Sequence, residues 1–490
     1  MRLSPALLAT VALMSATVSV CAAERPYSVR HYAARIEPDL ATKTLSGRVA
    51  IDLTMQAGGS DTLEFDRGEL TITSVRVDGA MRSFAVEASH LIVHLAGRTR
   101  RGSHLTALIE YTGAPRFGLE FSPDRSQVYT IFSTSQWLVC NDVPSDKATL
   151  DLELVLPARL SVVANGRLQS RRIQADGKQV QDWRESRALP SYTFGFAAGP
   201  FTEATDDLGH FRYLGAGFSA DELRQIFHET HGIRAFFELR SGVRYDGPTY
   251  TQALVADTAG QELGDFSLMS SEYGHGVLAE PKAIGLMAHE FAHQWWGNRV
   301  TCRDWTQFWL NEGFATFMSA AYLESRFGPM AYLQAIANSR DRYAAVKAKG
   351  EDHALEFSEW NHPTASDRTI VYHKGAYVLY ELRLELGDAA FWKAIRDYTR
   401  ANFDKTVTTH DFQTAVEKSS HRDLSEFFRK WVYSEGSEIS LPDRLSRTYW
   451  RDPKYQGIRP SQPTQRPSDP VLPPTAPNGR RVLPGTTPIV

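Results

Sequence analysis

The sequence predicts a chain of at least two domains, an antiparallel β domain followed by a mainly helical one. Three observations carry this. At 490 residues the chain is longer than one hydrophobic core ordinarily serves. Over residues 27–202 apolar positions tend to alternate with polar ones, and tight-turn dipeptides punctuate the alternation. After residue 207 the apolar positions recur at helical spacing instead.

Taken in order, residues 1–23 read as a secretory signal peptide. Arg2 supplies a positive start, residues 6–20 are apolar or small with no charge, and Cys21-Ala22-Ala23 offers small residues before Glu24. Cleavage after Ala23 is expected, and with it export to a periplasm or to the medium. The β domain is expected over residues 24–203. There Thr71-Ile72-Thr73-Ser74-Val75-Arg76-Val77 runs into Asp78-Gly79, and residues 150–156 alternate Leu with Asp and Glu before ending Val-Leu. Asn165-Gly166 and Asp176-Gly177 mark further hairpins. A sandwich or saddle of antiparallel strands follows from this pattern.

The second domain is expected over residues 204–445. Helical periods cover 222–239, 281–296, 311–327, 329–349, 370–386 and 424–433, and the Gly- and Ser-rich stretch 249–278 reads as mixed, with short strands. From 446 to 490 the composition shifts again: ten of the 24 prolines lie between Pro453 and Pro488. Such a segment buries too little apolar surface to offset the entropy of ordering it, so a disordered tail is expected.

Bulk properties narrow the function classes. The formal net charge is -3, so no global field draws the chain to nucleic acid. Arg98-Thr99-Arg100-Arg101 sits between Gly97 and Gly102 and reads as a solvated turn. Of three cysteines, Cys21 leaves with the signal, and Cys140 and Cys302 remain either to pair or to stay as buried thiols. No stretch of the mature chain reaches the length of a membrane-spanning helix.

The chemistry concentrates in His289-Glu290-Phe291-Ala292-His293. On a helix, side chains four apart lie one turn above each other, so both imidazoles face one way. Two nitrogens on a rigid rod suit zinc, and Glu290, next round the helix, stands where a general base for an activated water belongs. Ile284, Met287, Phe291 and Trp295 form an apolar line that buries the back of this helix, and Gly297 stops it. Glu312 follows 19 residues after His293 (312 minus 293), in Trp309-Leu310-Asn311-Glu312-Gly313, at the start of another helical period. A catalytic zinc takes three protein ligands and keeps one position open, so His289, His293 and Glu312 complete a set for one Zn2+ per chain. Tyr372, in Val371-Tyr372-His373-Lys374-Gly375, has two open readings: a packing residue, or a hydroxyl donor to a developing oxyanion.

These residues resemble the gluzincin aminopeptidases, the family of alanyl aminopeptidase and leukotriene hydrolase. The resemblance covers His289 to Asn298, Trp309 to Ala315 and Tyr372 to Gly375. It extends upstream to Cys140 through Ala148 and to His31-Tyr32 with Glu37-Pro38-Asp39-Leu40. It implies a thermolysin-like catalytic domain behind the β domain, zinc on His289, His293 and Glu312, Glu290 as base and then acid, and Tyr372 on the oxyanion. Peptides are the implied substrates, cleaved one residue at a time from the N-terminus. Two departures stand out. The family's Gly-x-Met-Glu-Asn stretch, whose glutamate grips the substrate amine, has no clean match, and Glu262, Asp265 and Glu272 are alternative anchors. The helical C-terminal domain of many relatives has no counterpart here, which predicts a more open cleft. An endopeptidase without the amine anchor, and an inactive peptide-binding protein on the same scaffold, are the competing readings.

Overall fold

The computed structural model describes residues 25–258, 260–357 and 363–435; the expected signal at 1–23 and the expected tail at 446–490 lie outside them. The alternating segments of the N-terminal half pair into three sheets. The largest has eight strands, in the order Arg167–Ile173, Lys178–Pro190, Lys147–Pro157, Tyr27–Asp39, Thr44–Met55, His104–Gly113, Thr71–Val77 and Ala80–Met81. Four-stranded and three-stranded sheets accompany it. Along Lys147–Pro157 the residues Leu150, Leu152 and Leu154 turn inward, as their period requires. One pairing departs from the antiparallel expectation. Tyr27–Asp39 runs parallel to Lys147–Pro157, with His31 opposite Thr149 and Ile36 opposite Leu154. Parallel neighbours need a long crossover, and the strands between residues 44 and 130 supply it.

The second half opens on a five-stranded sheet, ordered Thr202–Thr205, Phe211–Gly215, Tyr250–Val255, Phe266–Ser270 and Gly260–Leu263. Its inner pairings are parallel, and Gly260–Leu263 lies antiparallel at the edge, joined to Phe266–Ser270 by a tight turn. Helices then follow, built as the spacing predicts but cut differently. The 222–239 period divides into Ala220–Ile226 and Thr230–Ser241, and the 281–296 period contracts to Gly285–Ala292. Past Ala292 the chain tightens: Gln294 and Trp295 donate to carbonyls three residues back, 3.1 and 3.0 Å away. That tightening is how His293 ends the helix and still faces with His289.

The core explains why the two ligand-bearing helices meet. Ile284, Met287, Phe291 and Trp295 are all buried in one cluster with Trp309, Phe314 and Tyr398, so Gly285–Ala292 and Trp309–Phe327 share a floor. Phe291 stacks on Tyr250 of the five-stranded sheet, 4.0 Å between centroids at 8°. Among the described residues no helix is long and apolar enough to cross a membrane. Cys140 and Cys302 are separate buried thiols.

Candidate metal and catalytic site

Three ligand atoms converge. The Nε2 atoms of His289 and His293 lie 3.1 Å apart, and Glu312 Oε2 is 3.2 Å from the first and 3.5 Å from the second. All three residues are buried. A tetrahedral centre with bonds of about 2.0–2.1 Å has ligand-to-ligand edges of about 3.3–3.4 Å, so this triangle has the size of one zinc face. The donor chemistry agrees. His293 Nδ1 lies 3.0 Å from the Trp296 carbonyl, which can only accept, so the proton sits on Nδ1 and Nε2 presents a lone pair. Glu312 Oε2 is buried and has no hydrogen-bond donor. Two imidazole nitrogens and a carboxylate oxygen held this close in a buried triangle suit one shared cation.

The surrounding charge makes the same point. Glu262 and Glu290 join His293 in a second buried group whose ligand atoms lie within 4.8 Å of one another. Three buried carboxylates thus share one cavity, and among the described residues none of them pairs with a lysine or arginine. Burial pushes the Glu290 carboxyl well above its ordinary range, and the neighbouring Glu262 and Glu312 add to the effect. Burial likewise lifts Glu262, to about 7. Glu312 is opposite: burial works against its charge, but His293 and His289 hold it down at about 2. The same carboxylates overcome burial at His293 and draw a proton there, raising it to about 10, so proton and metal compete for one position.

Tyr372 reaches the site through a feature that apolar spacing does not reveal. Residues Ile370–Lys374 form a π-helical turn at the head of the helix Gly375–Leu386. The wider turn sets the Tyr372 ring nearly parallel to the His289 ring, 5.8 Å away at 11°. Its approach depends on two glycines: a methyl on Gly313 would stand 2.9 Å from the Gly375 α-carbon, and the converse holds. Because Gly313 follows Glu312 directly, this contact brings Tyr372 toward the carboxylate. Burial and the nearby Glu312 and Glu262 push the Tyr372 hydroxyl well up, so it remains a neutral donor.

The three alternative amine anchors separate cleanly. Glu262 lies in the site. Asp265, at the turn of the same hairpin, is buried against Arg187 and accepts from Tyr245 Oη at 2.9 Å. Glu272 is exposed in the first turn of Ser271–Ala279. Two supporting residues are given no role by the sequence reading. Tyr192 Oη of the β domain donates to the Gly297 carbonyl at 3.0 Å and accepts from Asn311 Nδ2 at 3.0 Å. Gln294 accepts from the Asp265 amide at 3.1 Å and donates to the Leu263 carbonyl at 2.9 Å, fastening the hairpin to the histidine helix. A glutamine set between His293 and the apolar pair Trp295-Trp296 is the signal that could have found it.

This constellation, two imidazoles and a carboxylate behind an acidic cavity, defines a metallopeptidase-like centre on a β-plus-helical scaffold. Residues 28–193 match the Peptidase M1 N-terminal domain and residues 271–431 the Peptidase family M1 domain; the chain belongs to peptidase family M1. Aminopeptidase M1 of Arabidopsis thaliana is 24% identical over 446 residues, 84% of this chain and 50% of its own length. Aminopeptidase N of Lactococcus lactis is 24% identical over 455 residues, 86% and 53%. The chain therefore spans about half the length of the curated relatives it matches. Among solved structures, the M1 zinc metallopeptidase of Deinococcus radiodurans superimposes with a TM-score of 0.69 at 23% identity, covering 85% of this chain and 95% of that one. Yeast LTA4 hydrolase gives 0.72 at 20%, covering 85% and 69%.

Proposed function

We propose that this chain is a zinc-dependent aminopeptidase that removes N-terminal residues from peptides. The observation that carries the reading is the charge of the cavity: three buried carboxylates need more than one cation. A divalent metal on His289, His293 and Glu312 answers part of that charge, and a substrate ammonium beside Glu262 answers the rest. The resemblance to named aminopeptidases supports the same assignment.

A zinc ion held there supplies a Lewis acid that polarises the scissile carbonyl and makes water nucleophilic near neutral pH. The chain's residues do the remainder. Glu290 takes the proton of the attacking water and passes it to the leaving amine, a task suited to a carboxyl whose burial raises its proton affinity. Tyr372 donates its hydroxyl hydrogen to the carbonyl oxygen as charge develops there. Glu262 holds the free N-terminus, which fixes the scissile bond one residue away and excludes the interior of long chains. All the residues that such chemistry needs are present, which disfavours an inactive peptide-binding role.

Amino-acid 4-nitroanilides and their N-acetylated forms distinguish exopeptidase from endopeptidase activity. The free amines are expected to be hydrolysed at least ~100-fold better, since a buried unpaired carboxylate penalises a neutral ligand by several kcal/mol. Equal rates, or preference for internally quenched N-blocked peptides, would overturn the exopeptidase reading. We also propose that the protein is exported, on the strength of Arg2, the uncharged run 6–20 and Ala22-Ala23. N-terminal sequencing of the extracytoplasmic protein should read from Glu24; an intact Met1 would reject this.

A further inference from the structure

Glu262 does not hold itself in place. It stands on the edge strand Gly260–Leu263, which among the described residues pairs on one side only, with Glu262 opposite Ser267. Successive side chains on a strand point to opposite faces, yet the Gln261 side chain turns back on its neighbour. Gln261 Nε2 donates to the Glu262 carbonyl at 2.8 Å and to Glu262 Oε2 at 2.9 Å, using both amide hydrogens. Gln261 Oε1 accepts the Phe132 amide at 2.7 Å. The orientation of the amide is unambiguous, because a backbone N–H can only donate. Gln261 is fully buried, so the three bonds satisfy it without water.

The far end of this clamp is itself unusual. Phe132 belongs to the β domain and has φ of 43°, in the left-handed region that a bulky residue adopts at a cost. In that conformation its N–H meets Gln261. The hairpin carrying Glu262 is also tied to the β domain elsewhere: Gly264 N donates to the Thr193 carbonyl at 3.0 Å, and Asn165 Nδ2 to the Gly264 carbonyl at 3.1 Å. Because Gln261 occupies Oε2 of Glu262, and no donor among the described residues reaches Oε1, one carboxylate oxygen is left for a ligand.

We infer that Gln261 is a positioning residue of the amine subsite: it fixes the Glu262 carboxylate so that Oε1 receives the substrate's N-terminal ammonium, with Phe132 as the anchor in the β domain. The inference rests on Glu262 being the amine anchor. It makes the β domain part of substrate recognition, through a bond chain that begins at a strained backbone and ends at the charge that grips the substrate.

Steady-state kinetics of the full chain on amino-acid 4-nitroanilides tests it, with Gln261→Met, Glu262→Gln and the double variant. Gln261→Met keeps the bulk and removes all three hydrogen bonds. It is expected to raise KM at least ~10-fold, the worth of a charge-assisted contact, with kcat changed less than ~3-fold. Residual hydrolysis of N-acetylated substrate should stay the same. In the Glu262→Gln background the same substitution should add less than ~2-fold, because its effect passes through the Glu262 carboxylate. An unchanged KM, equal losses on free and acetylated substrates, or full additivity in the double variant overturns the inference. If Gln261→Met does not fold, Gln261→Asn, a methylene too short to reach Glu262, must raise KM in the same way, and an unchanged KM there overturns it. The two readings fail separately. Glu262→Gln with an unchanged KM removes the amine anchor itself, whereas a raised KM in that variant with none at Gln261 removes only the clamp.

Discussion

Replacing Tyr192 by phenylalanine should weaken zinc binding although Tyr192 touches no ligand atom. Its hydroxyl joins the two elements that carry the metal ligands: it donates to the Gly297 carbonyl, just past His293, and accepts from Asn311, which precedes Glu312. Asn311 in turn takes the Cys302 amide at 3.0 Å, so its side chain has no freedom to find another partner. Phenylalanine keeps the ring, including its edge contact with Trp305 at 5.4 Å, and removes only the oxygen. Two hydrogen bonds of ~1 kcal/mol each disappear, and a buried carbonyl and amide are left to bear further cost, for a total of ~2–4 kcal/mol. Part of that falls on the metal, because the triangle of 3.1, 3.2 and 3.5 Å is held by these helices. Loss of outer-shell partners typically costs ~10–100-fold in metal affinity, and that is the expected range here. Competition with a chromophoric chelator, at a pH where both proteins show native circular dichroism, measures it. A folded Tyr192→Phe variant that binds zinc within ~2-fold of the parent would refute the idea that the β domain sets the ligand geometry.

Other substitutions probe the remaining parts. Glu290→Gln should retain stoichiometric zinc while kcat falls ~10²–10⁴-fold, the usual worth of a general acid–base group; unchanged turnover would remove Glu290 from the mechanism. Gly313→Ala places a methyl 2.9 Å from the Gly375 α-carbon, so the helices must part and carry Tyr372 away from Glu312. Its kcat loss should approach that of Tyr372→Phe, ~10²–10³-fold for an oxyanion donor, and full activity would show that the glycine contact does not position Tyr372. Lys147 is half-buried, its Nζ donating to the carbonyls of Asn298, Arg299 and Lys405. Burial pulls it down to about 7, with Asp404 opposing. The unfolded chain therefore binds more protons between about pH 7 and 10.5, so the cost of Lys147 is full below that window and fades as pH rises through it. Relative to Lys147→Met, the parent should gain up to ~1.4 kcal/mol of stability per pH unit there, and a pH-independent difference in denaturation midpoint would contradict this.

Much of the molecule is legible in its sequence, and particular residues show why. The alternation of Leu150, Leu152 and Leu154 can only serve a sheet with one buried face. His289 and His293 at helical spacing can only face together, and Ile284, Met287, Phe291 and Trp295 have to be the opposite, buried side. Those are local rules of period and direction. The parallel pairing of Tyr27–Asp39 with Lys147–Pro157 is not legible, because nothing in either strand names a partner more than a hundred residues away. The π-helical turn under Tyr372 escapes for a related reason: it shifts the register of a helix without altering its apolar spacing.

The choice among Glu262, Asp265 and Glu272 is equally closed to sequence. All three are carboxylates in one short stretch, and their fates depend on a β turn, a distant arginine and a helix start. Sequence by itself determined the two architectures and the two-imidazole helix face with Glu290 beside it, since each follows from spacing along one element, and it offered Glu312 on a later helix as the third ligand. Only the tertiary structure decided which carboxylate shares the cavity, how Gln261, Tyr192 and Gln294 hold the parts in place, and where Tyr372 points. Those depend on distances between elements, and such distances are set by packing and hydrogen bonds between segments far apart in the chain.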